Sequence, residues 1–231
     1  MDKNNNNPEI EAELKKIGYW NDLYSKKNYF GTGPTILAIF AQKLIEKYHI
    51  SNILELGCGQ GRDSIFFANL DCNVTATDIS ENAINFVKKI KNEQNLENLE
   101  LHIHDILNPL EFKNTNFDLI YSNLALQFFD IDQLSQIFSN IKGIMKNDSL
   151  FLFSTKKPGD KYFNFGNKIS ENTFEYKGIT RFFYSKSKLE DLLKFFLLPS
   201  LLRMITILIL MAQKVSGGKS LLKNKKLIFY H

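Results

Sequence analysis

Ile53-Leu54-Glu55-Leu56-Gly57-Cys58-Gly59-Gln60-Gly61-Arg62-Asp63-Ser64 is an apolar run that breaks into three alternating glycines and then resumes with helical spacing. The run is too short for a buried helix, so it reads as a strand feeding a glycine loop and a helix. Such a loop leaves room for a ligand to touch the backbone, and the free N–H groups that open the next helix favour a negative group. Seventeen residues beyond Gly61, the run Val74-Thr75-Ala76-Thr77 ends in Asp78. A carboxylate at the carboxyl end of a neighbouring strand can accept both hydroxyl protons of a ribose. The ligand implied is a nucleoside-containing one. It is not a dinucleotide by the usual fingerprint, because Gly57-x-Gly59-x-x is followed by Arg62 where a third glycine is required.

Outward from this stretch, apolar runs alternate with amphipathic ones. NVTATD (73 to 78), LELHIHD (99 to 105), FDLIYSN (117 to 123) and SLFLFST (149 to 155) read as strands. NAINFVKKIK (82 to 91) and LSQIFSNIKGIM (134 to 145) have helical period. Strand, helix, strand repeated predicts βαβ units and a Rossmann-like α/β fold, a mostly parallel sheet with helices on both faces. Two helices are expected before it, one from Glu9 to Tyr24 with Ile10, Leu14, Ile17, Trp20 and Leu23 at threes and fours. The second runs from about Thr35 to Lys47, with Ile36, Phe40, Leu44 and Tyr48 on one face, and KKNYFGTGP (26 to 34) loops between them.

The form ELGCGQG, with an acid two residues before the first glycine, resembles the first motif of the class I S-adenosylmethionine-dependent methyltransferases. The resemblance implies a seven-stranded sheet ending in an antiparallel pair, and S-adenosylmethionine as cofactor. It places Gly57, Gly59 and Gly61 on the cofactor loop, Glu55 near the methionine amino group, and Asp78, followed by Ile79, on the ribose. Leu101-His102-Ile103-His104-Asp105-Ile106 resembles the family's third strand, which assigns Asp105 and Ile106 to the adenine. Phe117 to Phe129 resembles the fourth strand and its loop, which sets Asn123 and Leu124 beside the reactive methyl. Tyr19-Trp20-Asn21-Asp22-Leu23-Tyr24 resembles the amino-terminal cap of small-molecule methyltransferases of the tellurite-resistance and thiopurine type. Tyr19, Trp20 and Tyr24 are accordingly candidate contacts to a small-molecule acceptor, and Arg181, followed by aromatic residues near the expected pocket mouth, is a further candidate as an anion binder.

No residue is singled out as catalytic. Methyl transfer from a sulfonium needs alignment above all. If the acceptor is a hydroxyl or amine, His102, His104 and Tyr121 are the candidate bases. His102 and His104 share one strand face and read first as partly exposed strand residues, and no third ligand accompanies them, so no metal is expected. Arg62 and Asp63 read as the solvated first turn of their helix, with Arg62 able to reach a substrate, and Cys58 as a small packing residue.

The chain has 231 residues, 44% hydrophobic and 23% charged, which suits one folded domain with decoration. Its two cysteines, Cys58 and Cys72, form no CxxC pair, which excludes a disulfide framework and fits a reducing cytoplasm. The net charge of +4 is uneven. Residues 1 to 191 hold all 25 acidic and 22 of the 29 basic residues, a balance of −3, without a basic stripe, so nucleic acid is an unlikely partner on charge grounds.

The expected organisation is a disordered Asn-rich leader (1 to 8), a helical cap (9 to 48), the methyltransferase core (49 to 194) and an atypical segment (195 to 231). That last segment opens with FFLLPSLLRMITILILMA (195 to 212), in which Arg203 is the sole charge. Three readings stay open: strands at Ile205 to Leu210 and Leu227 to Tyr230, a membrane-associating helix through 195 to 212, or a shifted reading frame. The region from Lys156 to Thr180 reads as an aromatic loop. Beside the small-molecule enzyme stand a non-catalytic or degenerate cofactor-binding protein and a protein or nucleic-acid methyltransferase. Oligomeric state leaves no mark in the sequence.

Overall fold

The computed structural model describes residues 8–112, 116–196, 205–207 and 228–229. Helix α1 (Pro8–Tyr24) and helix α2 (Ile36–Tyr48) precede the sheet. The strands β1 (Asn52–Leu56), β2 (Asn73–Asp78), β3 (Leu99–Ile103), β4 (Leu119–Asn123) and β5 (Leu150–Ser154) are all mutually parallel, in the order β3-β2-β1-β4-β5. Helices α3 (Arg62–Ala68), α4 (Glu81–Gln94), α5 (Ile131–Ile144) and α6 (Lys186–Phe196) complete the α/β layers. The strand order reverses between β1 and β4, and an open α/β sheet binds its ligand outside the carboxyl ends of the strands at that point.

Strand alternation sorts the core into two faces. Ile53, Leu119, Tyr121, Leu150 and Leu152 pack with α2, α3 and α4 through residues such as Leu37, Ala41, Phe67 and Val87. Their neighbours Leu54, Leu56, Ile120, Phe151 and Phe153 point the other way, onto Leu134, Ile137, Phe138 and Ile141 of α5 and Leu189 and Leu193 of α6. A strand buried on both faces is largely apolar, which is why LFLF reads as a continuous run and why Glu55 stands out as a buried acid within NILEL. The helices start on side-chain caps: Thr35 accepts from Ala38 N–H, Ser80 from Ala83 N–H, and Asp130 forms a capping box with Gln133.

Both cap helices differ in part from expectation. In α1 only the last turns are covered; Trp20 and Leu23 are buried, whereas Ile10 and Leu14 are exposed. The buried face of α2 is Leu37, Ala38, Ala41, Leu44 and Ile45, so Ile36 and Tyr48 face outward. Periodicity alone admitted two overlapping stripes, and contact with α3 selects the one with small alanines.

The region from 156 to 180 is not a loop throughout. It contains β6 (Asn167–Ser170) and β7 (Thr173–Tyr176), which with β8 (Ile179–Phe182) form a separate three-stranded antiparallel sheet. Lys177 and Gly178, both at positive φ, make the two-residue turn between β7 and β8, the backbone form that suits the twist of a hairpin. The strands are four residues long and β6 is exposed along its length, which leaves little hydrophobic alternation to detect.

Beyond β5, Ile205–Ile207 (β9) runs parallel to β5, and Ile228–Phe229 (β10) lies antiparallel to β9. The rest of the segment 195 to 212 that could associate with a membrane lies outside the described residues, apart from the end of α6. No described helix is long and apolar enough to cross a membrane.

Candidate active site

A cavity of about 900 Å3 opens over the carboxyl ends of β1 to β5, roofed by α1, the 25–35 loop and the three-stranded sheet. Glu55, Gly57, Gly59, Asp78, Ile79, Asp105, Ile106, Asn123 and Leu124 line it, as do Tyr19, Trp20, Tyr24 and Arg181. Gly61 does not. It caps α3 at φ 73°, and a Cβ there would stand 2.7 Å from Val87 Cγ2, so this glycine lets α3 pack on α4. Gly59, at φ 54°, faces the cap instead, where a Cβ would lie 2.8 Å from the Tyr24 hydroxyl oxygen.

The glycine loop is held from below by β2. Gly57 and Cys58 N–H both donate to Thr77 C=O, at 2.9 and 2.8 Å. Asp78, at the end of the same strand, is buried; one carboxylate oxygen accepts from Gly59 N–H at 2.8 Å and the other from Ser80 N–H at 2.9 Å. Burial pushes its pKa up to about 6, against the backbone donors from Ser80, Gly59 and Ile79, which pull it down. Glu55 is buried behind the loop and accepts from Ser64 Oγ; burial, and then the Asp63 charge, hold its pKa well above the usual carboxylate range.

Asp63 and Arg62 are not a solvated first turn. Asp63 is 3% exposed and accepts from Thr35 N–H and Thr35 Oγ1, both at 2.7 Å, and from Tyr121 Oη at 2.6 Å. Arg62 Nε donates to Gly33 C=O at 2.7 Å and its Nη1 to Phe30 C=O. Gln60, buried, accepts from Tyr29 N–H at 2.8 Å and donates to Lys26 C=O at 2.8 Å and Tyr24 C=O at 3.3 Å. Three near-consecutive residues after the strand therefore fasten the 25–35 loop to the glycine loop. Sequence reading missed Gln60 and Thr35 because their partners lie some 30 residues away.

The candidate bases fare differently. Tyr121 points into the sheet's other face and donates to Asp63; burial, and then the charge of Asp63, raise its pKa well above 10, which removes it as a base. His102 lies 3.0 Å from Glu100 on the edge strand and packs on Phe112. His104 reaches the cavity, with burial lowering its pKa, but at the β3 end, three strands along the sheet from β4.

Past β4 the chain turns sharply. Leu124 sits at φ 58°, its N–H donating to Ser154 C=O at 3.1 Å, while Asn123 Oδ1 accepts from Ser154 Oγ at 2.7 Å. A non-glycine residue in that region is strained and is held there by its surroundings. Next come Gln127, buried, and Phe128, whose ring meets Trp20 edge-on at 4.8 Å. On the far wall, Lys156 pairs with Asp160 at 3.1 Å, both largely buried, and Arg181 lies over the rings of Phe128 and Tyr162, 5.7 and 5.9 Å from their centres.

Residues 50–196, which contain the glycine loop, the Asp78 strand and the β4 turn, match the family model described as a methyltransferase domain. The chain belongs to that methyltransferase family. It is 33% identical over 119 residues to a probable S-adenosyl-L-methionine-dependent methyltransferase, TehB of Haemophilus influenzae, over 51% of this chain and 41% of that protein. The chain thus spans well under two thirds of the length of that relative. The crystal structure of TehB superposes with a TM-score of 0.55 at 25% identity, covering 76% of this chain and 55% of that one. A methyltransferase from Clostridium acetobutylicum shares the fold at a TM-score of 0.61 and 17% identity, covering 78% of this chain and 86% of that one. S-adenosylmethionine is the cofactor of this methyltransferase family. Among the described residues no group of three His, Cys, Asp or Glu side chains could hold a metal ion.

Proposed function

We propose that the protein transfers a methyl group from S-adenosylmethionine to a small-molecule acceptor. The observation that carries this reading is Asp78: a buried carboxylate at the end of β2, facing the cavity and bonded to the glycine loop, with a lone pair left on each oxygen for the two ribose hydroxyls. Glu55 serves the amino end and Asp105 with Ile106 the adenine end, while Ile79 packs beside the ribose. Asn123 and the strained Leu124 set the floor under the reacting methyl. When bound, the cofactor supplies a methyl group on a good leaving sulfur. The chain then has to align the acceptor and keep water out, and the cap rings of Tyr19, Trp20 and Tyr24 with Arg181 suit that work. TehB, described in its own right as a probable methyltransferase, supports the enzymatic reading over a mere binding module.

In this reading 9 to 48 form the cap and 49 to 194 the core, and the atypical segment 195 to 231 supplies β9 and β10, which bring the strand count to seven in a cytoplasmic enzyme. Calorimetric titration with S-adenosylhomocysteine tests it. Micromolar binding that Asp78→Ala weakens at least tenfold, about 1.4 kcal/mol, is expected. No binding by the folded protein overturns it, and binding without turnover of any acceptor leaves the degenerate alternative standing.

A further inference from the structure

Basic groups crowd one wall of the cavity, and the facing wall carries carboxyl groups together with Arg62. The carboxyls of Glu55, Asp63, Asp78 and Asp105 line the wall of β1 to β3 and the glycine loop. The wall formed after β5 and by the small sheet presents Lys156, Lys161, Lys177 and Arg181, and its Asp160 is already paired with Lys156. Lys156 and Lys161 lie 4.7 and 4.8 Å from the centre of the Tyr162 ring.

Two groups of the cavity lack an ion-pair or hydrogen-bond partner among the described residues. Among the described residues the Arg181 guanidinium has no carboxylate within ion-pair distance; it is held between the Phe128 and Tyr162 rings and partly desolvated. Aromatic faces attract a cation but do not neutralise it, so an anion brought to this guanidinium meets a strong, directional donor. Gln127 is 4% exposed, lines the same cavity, and its Oε1 has no hydrogen-bond partner. An orphan buried acceptor costs about 1–3 kcal/mol, a cost that a ligand's O–H or N–H would relieve. The short helical turn carrying Gln127 and the strand carrying Arg181 pack together, so both groups address one space. Its walls are flat: Trp20, Phe128, Tyr162 and Tyr176.

We propose that the acceptor half of the cavity binds a planar aromatic acid that also carries a hydroxyl or N–H donor, with Arg181 holding its anionic group and Gln127 Oε1 accepting a hydrogen bond from its donor. The inference rests on the acceptor half of the function proposed above. An anion held there is also drawn toward the positive sulfur of the bound cofactor, so binding of the two is mutually favourable.

The test is calorimetry with 4-hydroxybenzoate, 4-hydroxybenzamide, benzoate and inorganic phosphate, each on protein saturated with S-adenosylhomocysteine. Emission of Trp20, the single tryptophan, reports whether a ligand enters the cavity. The acid is expected to bind at least tenfold tighter than its amide and at least threefold tighter than benzoate. Arg181→Gln should reduce the acid-to-amide ratio below threefold, and Gln127→Leu should erase the advantage of the hydroxyl. On the wild-type protein, raising NaCl from 50 to 500 mM should weaken the acid and spare the amide, a readout that needs no variant. Equal binding of acid and amide, an acid preference that survives Arg181→Gln, or phosphate binding tighter than the aromatic acids overturns the inference. Failure of the wild-type protein to bind S-adenosylhomocysteine overturns the methyltransferase reading itself; normal cofactor binding without an acid preference defeats only this assignment.

Discussion

The two halves of the cavity are built by different means. On the side proposed for the cofactor, the groups sit at the carboxyl ends of neighbouring parallel strands and are joined directly from one strand end to the next: Thr77 C=O under the loop, Asp78 on Gly59 and Ser80. On the acceptor side, the walls come from α1, the 25–35 loop and the β6 to β8 sheet, joined by rings, cations and contacts across the chain. The first half is dictated by the fold, and fold is shared by many chemistries. The second half is free to vary, which is where an acceptor is chosen.

Asp63 joins the halves, and removing it should have the largest effect. Asp63→Ala leaves Thr35 N–H buried without its acceptor and Tyr121 Oη with only Thr35 Oγ1, at 3.1 Å, at a cost of about 2–4 kcal/mol of stability. Thermal unfolding followed by circular dichroism should show a midpoint lower by roughly 10 °C. A midpoint unchanged within 2 °C would mean that the cap does not depend on this junction.

Gly61→Ala probes the loop from inside the cofactor half. The added methyl group would occupy positive φ and press on Val87, costing about 2 kcal/mol by urea unfolding. Gly31, also at positive φ in the cap loop but with only the Arg62 Cζ at 3.9 Å from its would-be Cβ, should lose less on the same change. Equal losses would erase the contrast between a packed loop and an open one.

Asp78 gives the comparison a pH axis. Its folded pKa, about 6, lies above the ordinary 3.8, so the folded protein holds this proton more tightly than the unfolded chain does. Its contribution to stability is therefore greatest below pH 4 and is lost as pH rises toward and through 6. In the proposed function cofactor binding runs the other way, because the ribose hydroxyls would donate to the ionised carboxylate. Affinity for S-adenosylhomocysteine should fall about tenfold from pH 7 to pH 5, and Asp78→Asn should flatten that part of the profile. A profile as steep in the variant would assign the proton to Glu55 or His104, which also titrate away from their ordinary values.

How much of this was legible in the sequence follows the same division. The positions of the glycine loop, Asp78, Asp105 and Asn123 on the cavity were readable because a local motif and the ends of apolar runs mark the carboxyl edge of the sheet. The parallel direction of the five strands follows from the repeated βαβ units, whereas their order and its reversal between β1 and β4 emerge only in the structure. The β6 to β8 sheet was not readable: NKIS, TFEY and ITRF are short and partly exposed, and only the Lys177-Gly178 turn hints at a hairpin. Asp63 in the first turn of α3 reads in the sequence as part of a solvated helix start. Thr35, 28 residues before it, and Tyr121, 58 after it, make it a buried junction, and nothing near it in sequence announces them.

Gln60 offers the finest test, because it belongs to the cofactor loop by position and to the cap by contact. Its side chain bonds to the backbone of Tyr24, Lys26 and Tyr29, so it holds the cap loop without shaping the floor beneath the cofactor. Gln60→Ala should therefore change affinity for S-adenosylhomocysteine by less than threefold, under about 0.7 kcal/mol. The 25–35 loop should open more often, and trypsin cleavage after Lys26 or Lys27 should quicken severalfold, since cleavage tracks the population of the open form. If instead cofactor affinity falls as far as cleavage rises, the cap loop is part of the cofactor site and the two halves are one. If cleavage is unchanged, Arg62, which bonds to Phe30 and Gly33, holds the loop without Gln60.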